Sequence, residues 1–427
     1  MTRTDETAAR EVRDLIWLYF WLLIFEGAIR KWVLPQLAGP LLLVRDPVLI
    51  WAYYRAMKAG LFPSNGYIYT VFLLVVASAG ASVGAEHGTI GVTLYGLRSD
   101  FLHLPLIFLM PRVFSMKDVE KMGYWILALS LPMALLMMAQ FKSPADGVLN
   151  RGNSGDFLQI ASAHGKIRPP GTFSFISGPM AYYPMVAAFL TFGFVERKAY
   201  RGWLMLAASV GLLAAAAVSG SRSFIVSIAI VEGALAIACL LRPDFIPGAL
   251  KLVAIVALIA GALGSTSLYK EGLETLFSRF DQAQQAEEAG GGMVGRSMGL
   301  FDVTNLYYDT PFFGYGIGLG TNVGAMLTSG KRQFVLAENE WQRVILESGF
   351  LLGACFLLLR IALFLHLAGL CFRSLGEGRL LPLLLLSACG AQIVLGQFGQ
   401  PTSLGFTVFI GGLCLAACAP REEAGLP

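Results

Sequence analysis

The stretch AAAAVSGSRSFIVSIAI, residues 214–230, joins two long apolar runs through a short polar break that contains Arg222. Over residues 203–241 the only ionisable groups are Arg222, Glu232 and the thiol of Cys239. A helix of about 20 apolar residues crosses a lipid bilayer, so the stretch predicts two membrane helices with a tight turn between them. An arginine at such a turn either anchors the protein at the membrane surface or belongs to a functional site.

The composition of the whole chain indicates the same class of protein. Of its 427 residues, 56% are hydrophobic and only 14% are charged, whereas soluble domains carry about 25% charged residues. The net charge of +4 comes from basic residues spread along the chain, which does not favour nucleic-acid binding. The six cysteines lie in or beside apolar runs without metal-ligand spacing, so we interpret them as packing residues and expect no metal.

Hydropathy predicts an all-α integral membrane protein, a single polytopic domain over residues 1–427 with about 12 transmembrane helices. The twelve predicted spans are 15–34, 37–54, 67–84, 89–110, 121–140, 178–195, 202–219, 223–241, 249–267, 344–368, 380–397 and 401–419. Charged residues interrupt the second and fourth of these spans, and the last is rich in glycine.

The basic residues predict the orientation of the spans. With both termini in the cytoplasm, the short inner connections hold twelve lysines and arginines, and the short outer ones hold only Arg30, Lys31 and Arg222. This bias follows the positive-inside rule, from which long loops are exempt. Two long loops then lie on the outer side, at 141–177 between the fifth and sixth helices and at 268–343 between the ninth and tenth. The pattern predicts that the second is partly helical.

Four polar segments share that outer side: RPPGTFSFISG at 168–178, SGSRS at 219–223, residues 294–322, and AENEWQRVILESGFLLG at 337–353. The third contains GYGIGLG, which lacks the G-x-G-x-x-G spacing and the βαβ context of a nucleotide loop. We expect its glycines to allow tight backbone turns near the membrane surface.

Arginines and carboxylates in these segments suggest a chemistry. Arg168, Arg222 and Arg296 together would suit a diphosphate, because guanidinium groups bind phosphate oxygens bidentately and keep their charge. A carboxylate at the water interface accepts a proton from an attacking hydroxyl. Each residue also has a structural interpretation: Arg222 snorkelling to lipid headgroups, Arg168 as an ordinary loop residue, and Glu338 and Glu340 as partners of a helix N-terminus.

Patterns typical of other enzymes are missing from the sequence. It contains no Walker A motif, no HExxH, no GxSxG and no acidic pair in an outer loop suited to a metal. The four histidines, at 87, 103, 164 and 366, are scattered. The sequence therefore predicts a site that works without metal or cofactor. Glu347 lies seven residues after Glu340, on about the same face of a helix.

The order of the spans and of these segments resembles the O-antigen ligase and polymerase superfamily of bacterial membrane glycosyltransferases, which have a GT-C-type fold. Three motifs carry the resemblance. An arginine followed by Gly-Thr-Phe before a span is matched by Arg168, Gly171, Thr172 and Phe173. A Ser-x-Ser-Arg turn is matched by Ser219, Ser221 and Arg222. A Gly-Arg pair and a later Pro-x-x-Gly-x-Gly are matched by Gly295, Arg296, Pro311, Gly314 and Gly316.

One position departs from the family pattern. The ligases usually carry His-Asn at the end of the large loop, followed by a helix with Glu and Gly. This chain has Glu338-Asn339 there, followed by Glu347 and Gly349. Glu338 then replaces the histidine or the role has moved. The departure favours a polymerase or another exopolysaccharide branch at least as well as a lipid A ligase. FEGAIRKWVLP at 25–35 and YGLRSDFLHLP at 95–105 resemble that branch too.

The resemblance implies a metal-independent glycosyltransferase of the bacterial inner membrane with its active site on the periplasmic side. Its donor would be an undecaprenyl-pyrophosphate-linked glycan, its acceptor a glycan or lipid core, and its partners membrane lipids and other polysaccharide-assembly proteins. Glu338 and Arg222 would be catalytic. The residues expected to bind pyrophosphate or glycan are Arg168, Arg222, Arg296, Asn339 and Glu340. The alternatives are a 12-helix transporter of polar or lipid-linked solutes and a non-catalytic subunit of a polysaccharide assembly complex.

Overall fold

A computed structural model describes residues 3–85, 89–152, 159–163, 165–196, 199–289, 310–330 and 335–419. The structure is 78% helical, and the described residues contain no strand beyond one isolated bridge between Ala161 and Ile167. The prediction of an all-α protein is therefore confirmed. Arg296 and His164 lie outside the described residues.

The helices follow one another with short connections except on one side of the bundle. In chain order they are α1 (Arg3–Ala28), α2 (Arg45–Lys58), α3 (Gly66–Val83), α4 (Ile90–Leu97), α5 (Pro105–Val113), α6 (Met116–Lys142), α7 (Ser177–Val195), α8 (Gly202–Val218), α9 (Arg222–Leu241), α10 (Ile246–Leu263), α11 (Ser267–Ala289), α12 (Asn322–Ser329), α13 (Glu340–Gly376), α14 (Leu381–Leu395) and α15 (Pro401–Ala417).

Six helical segments of the described chain are long and apolar enough to cross a membrane: Gly66–Val83, Met116–Lys142, Ser177–Val195, Arg222–Leu241, Pro243–Leu263 and Glu340–Gly376. Three shorter apolar helices, α8, α14 and α15, pack among them. These helices indicate a membrane-embedded protein with several spans. The remaining predicted spans also fall on helical residues, but charged side chains or breaks divide them, and the number twelve stays a prediction.

The predicted span at 89–110 is two helices joined by a π-helical turn, Arg98–Leu102. The turn buries Arg98, which forms a two-bond ion pair with Asp46 at the start of α2, at 2.8 and 2.9 Å. Asp100 of the same turn is also buried. A widened turn presents these charged groups to the interior, where each finds a partner. The charged residues that interrupt the predicted span are thus buried in ion pairs at the turn between α4 and α5.

Helix α7 forms the centre of the bundle. In its membrane-length window 83% of the residues are buried, against 11% for the segment Pro243–Leu263, which is therefore peripheral. The hydroxyls of Tyr182 and Tyr183 on α7 donate to the α6 carbonyls of Ile126 and Ser130 at 2.6 and 2.9 Å. Buried hydroxyls need such partners, and these bonds fix the depth of α7 against α6.

We call the end of the bundle that carries Ser177, Arg222 and Glu340 the loop face, because residues 143–176 and 264–339 leave and re-enter the bundle there. The other end is the opposite face. Contacts between segments distant in sequence occur at this end: Lys166 pairs with Glu271 at 2.7 Å, and Gln397 donates to the Glu338 carbonyl at 2.7 Å.

Helix α13 is broken at Gly349, where φ is +75°. The break frees carbonyls of the preceding turn, and the glycine-rich run satisfies them: the Tyr315 N–H donates to Leu346 at 2.7 Å and the Gly316 N–H to Glu347 at 3.0 Å. Gly314, Gly316 and Gly318 have positive φ, as expected for tight turns. Irregular backbone at membrane depth needs such internal partners.

Gly349→Ala is expected to destabilise the protein by about 2 kcal/mol or more, since a side chain at positive φ is strained and the added Cβ would overlap the Phe312 carbonyl. Thermal unfolding in detergent measures the effect. Gly369→Ala on the same helix is the matched control, because an added Cβ there meets nothing within 4 Å. Equal melting temperatures for the two variants would contradict a structural role of the break.

Candidate functional site

A short β-hairpin-like turn presents Arg168 on the loop face. The Ser162 N–H donates to the Lys166 carbonyl at 2.7 Å, and the Arg168 N–H donates to the Ile160 carbonyl at 2.9 Å. Two prolines follow Arg168 and hold the backbone extended away from the turn. The chain is therefore fixed on both sides of Arg168.

The turn between α8 and α9 packs directly on this segment. Gly220 has φ of +55°, and a Cβ at this position would overlap Ser162 and lie 3.7 Å from Cγ of Arg168. Only glycine allows the approach. Arg222 is the first residue of α9, so the hairpin segment brings Arg168 beside the N-terminus of that helix. Arg168 and Arg222, predicted to belong to one site, therefore lie near each other in the fold.

Helix α11 adds a third arginine that the sequence did not single out. An ion pair of 2.7 Å joins Glu271 of α11 to Lys166, and Gly272 packs on α8 so closely that a Cβ would lie 2.9 Å from the Ala217 carbonyl. Two turns further on, half-buried Arg279 extends from α11 and donates to Gln282 at 3.1 Å.

Arg222 and Arg279 lie near enough to Arg168 for their charges to act on it, and we call these three residues the arginine cluster. Burial lowers the pKa of Arg168, and the positive charges of Arg279 and Arg222 lower it further. The Nε atom of Arg168 is buried without a hydrogen-bond partner, as is Oγ of Ser162. Positive charges held together, an unused buried donor and a helix N-terminus together favour an anionic ligand.

The segment after Arg168 is held largely by FEGAIRKWVLP, residues 25–35. Buried Lys31 donates to the carbonyls of Gly171 and Phe173 at 2.8 and 2.7 Å. The Thr172 hydroxyl donates to the Ile24 carbonyl at 2.6 Å, and Gln140 accepts from the Gly171 N–H at 2.8 Å. Lys31 of this motif, together with Ile24 and Gln140, thus anchors the backbone that follows Arg168.

Glu338, Asn339 and Glu340 are neighbours in sequence but face different surroundings. Glu338 is exposed just before α13, Asn339 is the N-cap residue, and Glu340 is buried. Glu340 accepts from Arg343 at 2.9 Å and from Arg360 at 2.7 Å. The exposed Glu338 is accessible to a substrate hydroxyl, whereas Glu340 is engaged in the interior.

Arg343 is the centre of a buried ionic network. Its guanidinium contacts the carboxylates of Asp100 at 2.8 Å, Glu340 at 2.9 Å and Glu347 at 2.6 Å. Arg360 completes the network through Glu340 and donates to the Gly396 carbonyl at 2.7 Å. Glu340 and Glu347 both reach Arg343, so the prediction that they share a helical face is confirmed.

The segment Gln397–Gln400 between α14 and α15 rests on this network. The Phe398 N–H donates to Glu340 at 3.2 Å, and the Arg360 guanidinium lies 3.8 Å from the centre of the Phe398 ring. Gln397 and Gln400 hydrogen-bond to each other. With Glu338 and Asn322 they surround a small cavity of about 20 Å³, room for about one water.

These glutamines are residues that sequence reasoning missed. The only signal was the pair of glutamines in GQFGQP, residues 396–401, immediately before the last apolar run. Amide side chains on a solvent-facing rim donate and accept at once, which suits sugar hydroxyls.

A chain of polar contacts in the interior links the segment that follows Arg168 to the segment Gln397–Gln400. Glu26 pairs with Arg30 at 3.1 Å and with Arg45 at 3.0 Å. Arg30 donates to Ser174, after the Gly-Thr-Phe motif, at 3.3 Å, and Arg45 donates to the Pro401 carbonyl, beside Gln400, at 2.8 Å. The ion pairs of Glu26 with Arg30 and Arg45 therefore support both segments.

The sequence matches no protein-family model, and no curated protein matches it. Fold and geometry therefore define the class: an all-α, membrane-embedded protein with several spans and two polar regions on one face. These regions are the arginine cluster and the group of Glu338, Gln397 and Gln400, which we call the Glu338–glutamine rim.

Proposed function

We propose that the protein is a metal-independent glycosyltransferase of the bacterial inner membrane that transfers or polymerises a glycan from a polyprenyl-diphosphate donor. The resemblance of its motifs to O-antigen ligases and polymerases suggests this function. The observation that carries it is the arginine cluster, in which Arg168 has a buried, unused donor beside Arg222 and Arg279. With the loop face in the periplasm, the cluster lies where a diphosphate lipid headgroup meets water.

The donor diphosphate binds in the arginine cluster. Three guanidinium groups and the N-terminus of α9 offer fixed positive charge at a partly buried place. Charge accumulates on the diphosphate as the bond to the anomeric carbon breaks, so these groups stabilise the transition state more than the ground state. Arg296, predicted for the same role, is assigned here by its motif alone.

The acceptor hydroxyl binds at the Glu338–glutamine rim. Its oxygen attacks the anomeric carbon while the bond to the diphosphate oxygen breaks, and the Glu338 carboxylate accepts the hydroxyl proton. Attack opposite the leaving group gives inversion at that carbon. Asn339 lies beside Glu338 as a further polar contact, and we assign Glu340 to positioning the rim through Phe398 rather than to touching substrate.

Purified protein in nanodiscs, given its lipid-diphosphate-linked glycan without metal or nucleotide, is expected to release lipid diphosphate and lengthen or transfer the glycan. Glu338→Ala should lower the rate by about 10²-fold or more, because proton removal from the acceptor is lost. Glu338 is exposed, so the variant should fold normally. Glu274→Ala, another exposed carboxylate of the loop face, is the control. Unchanged turnover in Glu338→Ala would remove the residue from the mechanism.

Transport of a polar or lipid-linked solute is the second candidate. The break of α13 at Gly349 beside the buried charges of Asp100, Arg343 and Glu347 favours it, since broken helices and intramembrane ion pairs are typical of transporters. Liposomes distinguish the two functions. Movement of an intact lipid-linked glycan between leaflets, without release of lipid diphosphate, would favour transport over transfer.

A further inference from the structure

Three cysteine thiols meet at the opposite face, one from α13 and two from the end of α15. Cys371 lies near the end of α13, Cys414 in the last turn of α15, and Cys418 directly after α15. The sulfur atoms of Cys371 and Cys414 are 3.4 Å apart, those of Cys371 and Cys418 are 4.0 Å apart, and all three lie within 4.8 Å of one another.

The spacing of these sulfurs matches the geometry of a bound ion. A zinc–thiolate bond is about 2.3 Å long, which places two sulfurs of a tetrahedral site about 3.8 Å apart. The observed separations bracket this value, so small rotations of the side chains bring the three sulfurs to equal distances from one centre. The one-turn spacing of Cys414 and Cys418 places both on the same side of α15.

The cluster is accessible from one side. Cys371 and Cys414 are buried, while Cys418 is half-buried and lines a groove of about 870 Å³ between α3, α5, α13 and α15. An ion can reach the sulfurs through this groove, and a water molecule can complete its coordination there.

The neighbouring charge also suits thiolates. The Arg379 guanidinium donates to the carbonyls of Cys418 and Ala419 at 2.7 and 2.6 Å, which places it beside the cluster, and it also pairs with the exposed carboxylate of Glu377. The basic connections of this face predict that it lies in the cytoplasm, where thiols stay reduced. The thiols of Cys371 and Cys414 both donate to the Pro382 carbonyl at 3.3 Å, which holds the two sulfurs side by side.

We propose that Cys371, Cys414 and Cys418 form a trithiolate site for a thiophilic divalent cation of the zinc group. On binding, three S–H bonds break, three sulfur–metal bonds form and three protons pass to water. The resulting complex carries one net negative charge, and the guanidinium of Arg379, which also pairs with Glu377, lies beside it. The ion joins the end of α13 to the end of α15 and is structural, remote from the loop face.

Cadmium titration of the reduced full-length protein in detergent tests this site, because sulfur-to-cadmium charge transfer absorbs in the ultraviolet. The expected result is one Cd²⁺ bound per chain, with a charge-transfer absorbance of the size that three cadmium–thiolate bonds give. The melting temperature should rise, and Zn²⁺ should compete for the site. Cys418→Ser, at the half-buried position, should weaken binding by at least about tenfold and remove the thermal shift.

Cys355→Ser is the matched control, because Cys355 is exposed in the same groove but lies outside the cluster. It should bind Cd²⁺ like the wild type. The proposal is overturned if the wild type shows no stoichiometric binding, if Cys418→Ser binds as tightly, or if Cys355→Ser loses binding to the same extent. The melting temperatures of the metal-free variants show separately whether each one is folded.

Discussion

Replacing Arg279 with alanine is expected to lower the rate of glycan transfer by about 10²- to 10³-fold, the loss seen when one preorganised donor is removed from a developing negative charge. Arg168→Ala should have an effect of the same size, because its buried Nε is positioned for the same anion. The rate of lipid diphosphate release under single-turnover conditions measures the loss. The acceptor is held in excess, so that only donor chemistry limits the rate.

Two further variants show whether the effect comes from phosphate recognition. Arg279→Lys keeps the charge but loses the bidentate geometry and should recover only part of the activity. Arg151→Ala removes an exposed arginine from the loop that also carries Arg168 and should leave the rate unchanged. Equal losses in Arg151→Ala and Arg279→Ala would mean that the total positive charge of the loops, and not the position of the arginine cluster, supports the activity.

Arg343→Ala is expected to destabilise the protein by about 3–5 kcal/mol, because it leaves the buried carboxylates of Asp100, Glu340 and Glu347 without their common partner. Removing one side of a buried ion pair costs far more than the pair contributes, since the remaining charge stays desolvated. Thermal or denaturant unfolding in detergent measures the loss.

Arg373→Ala is the matched control for this prediction, because Arg373 is an exposed arginine on the same helix. It should change the stability little. A normal melting temperature for Arg343→Ala would show that the ionic network does not hold α13 to the π-helical turn between α4 and α5. If that variant folds and loses glycan transfer nonetheless, the network acts on the Glu338–glutamine rim and not on global stability.

The motifs predicted from sequence differ in how far the structure supports them. The glycines of GYGIGLG were expected to make tight turns, and three of them have positive φ. The role of these turns was not predictable from the sequence. They bring backbone N–H groups to the carbonyls that the break of α13 at Gly349 leaves without helical partners. Glu340 was predicted to bind substrate or to accompany a helix N-terminus. The helix α13 begins at this residue, and the Glu340 side chain is buried in ion pairs with Arg343 and Arg360.

The amino-acid sequence by itself determined the membrane class, the helical content and the placement of Arg222 at a turn between apolar helices. These features depend on hydrophobicity and turn residues within short segments, which the chain order records directly. Only the tertiary structure decided that Arg279 joins Arg168 and Arg222, that Gln397 lies beside Glu338, and that Cys371 meets Cys414 and Cys418. Such proximities arise because helices pack according to the fit of their side chains, and no local pattern encodes that fit.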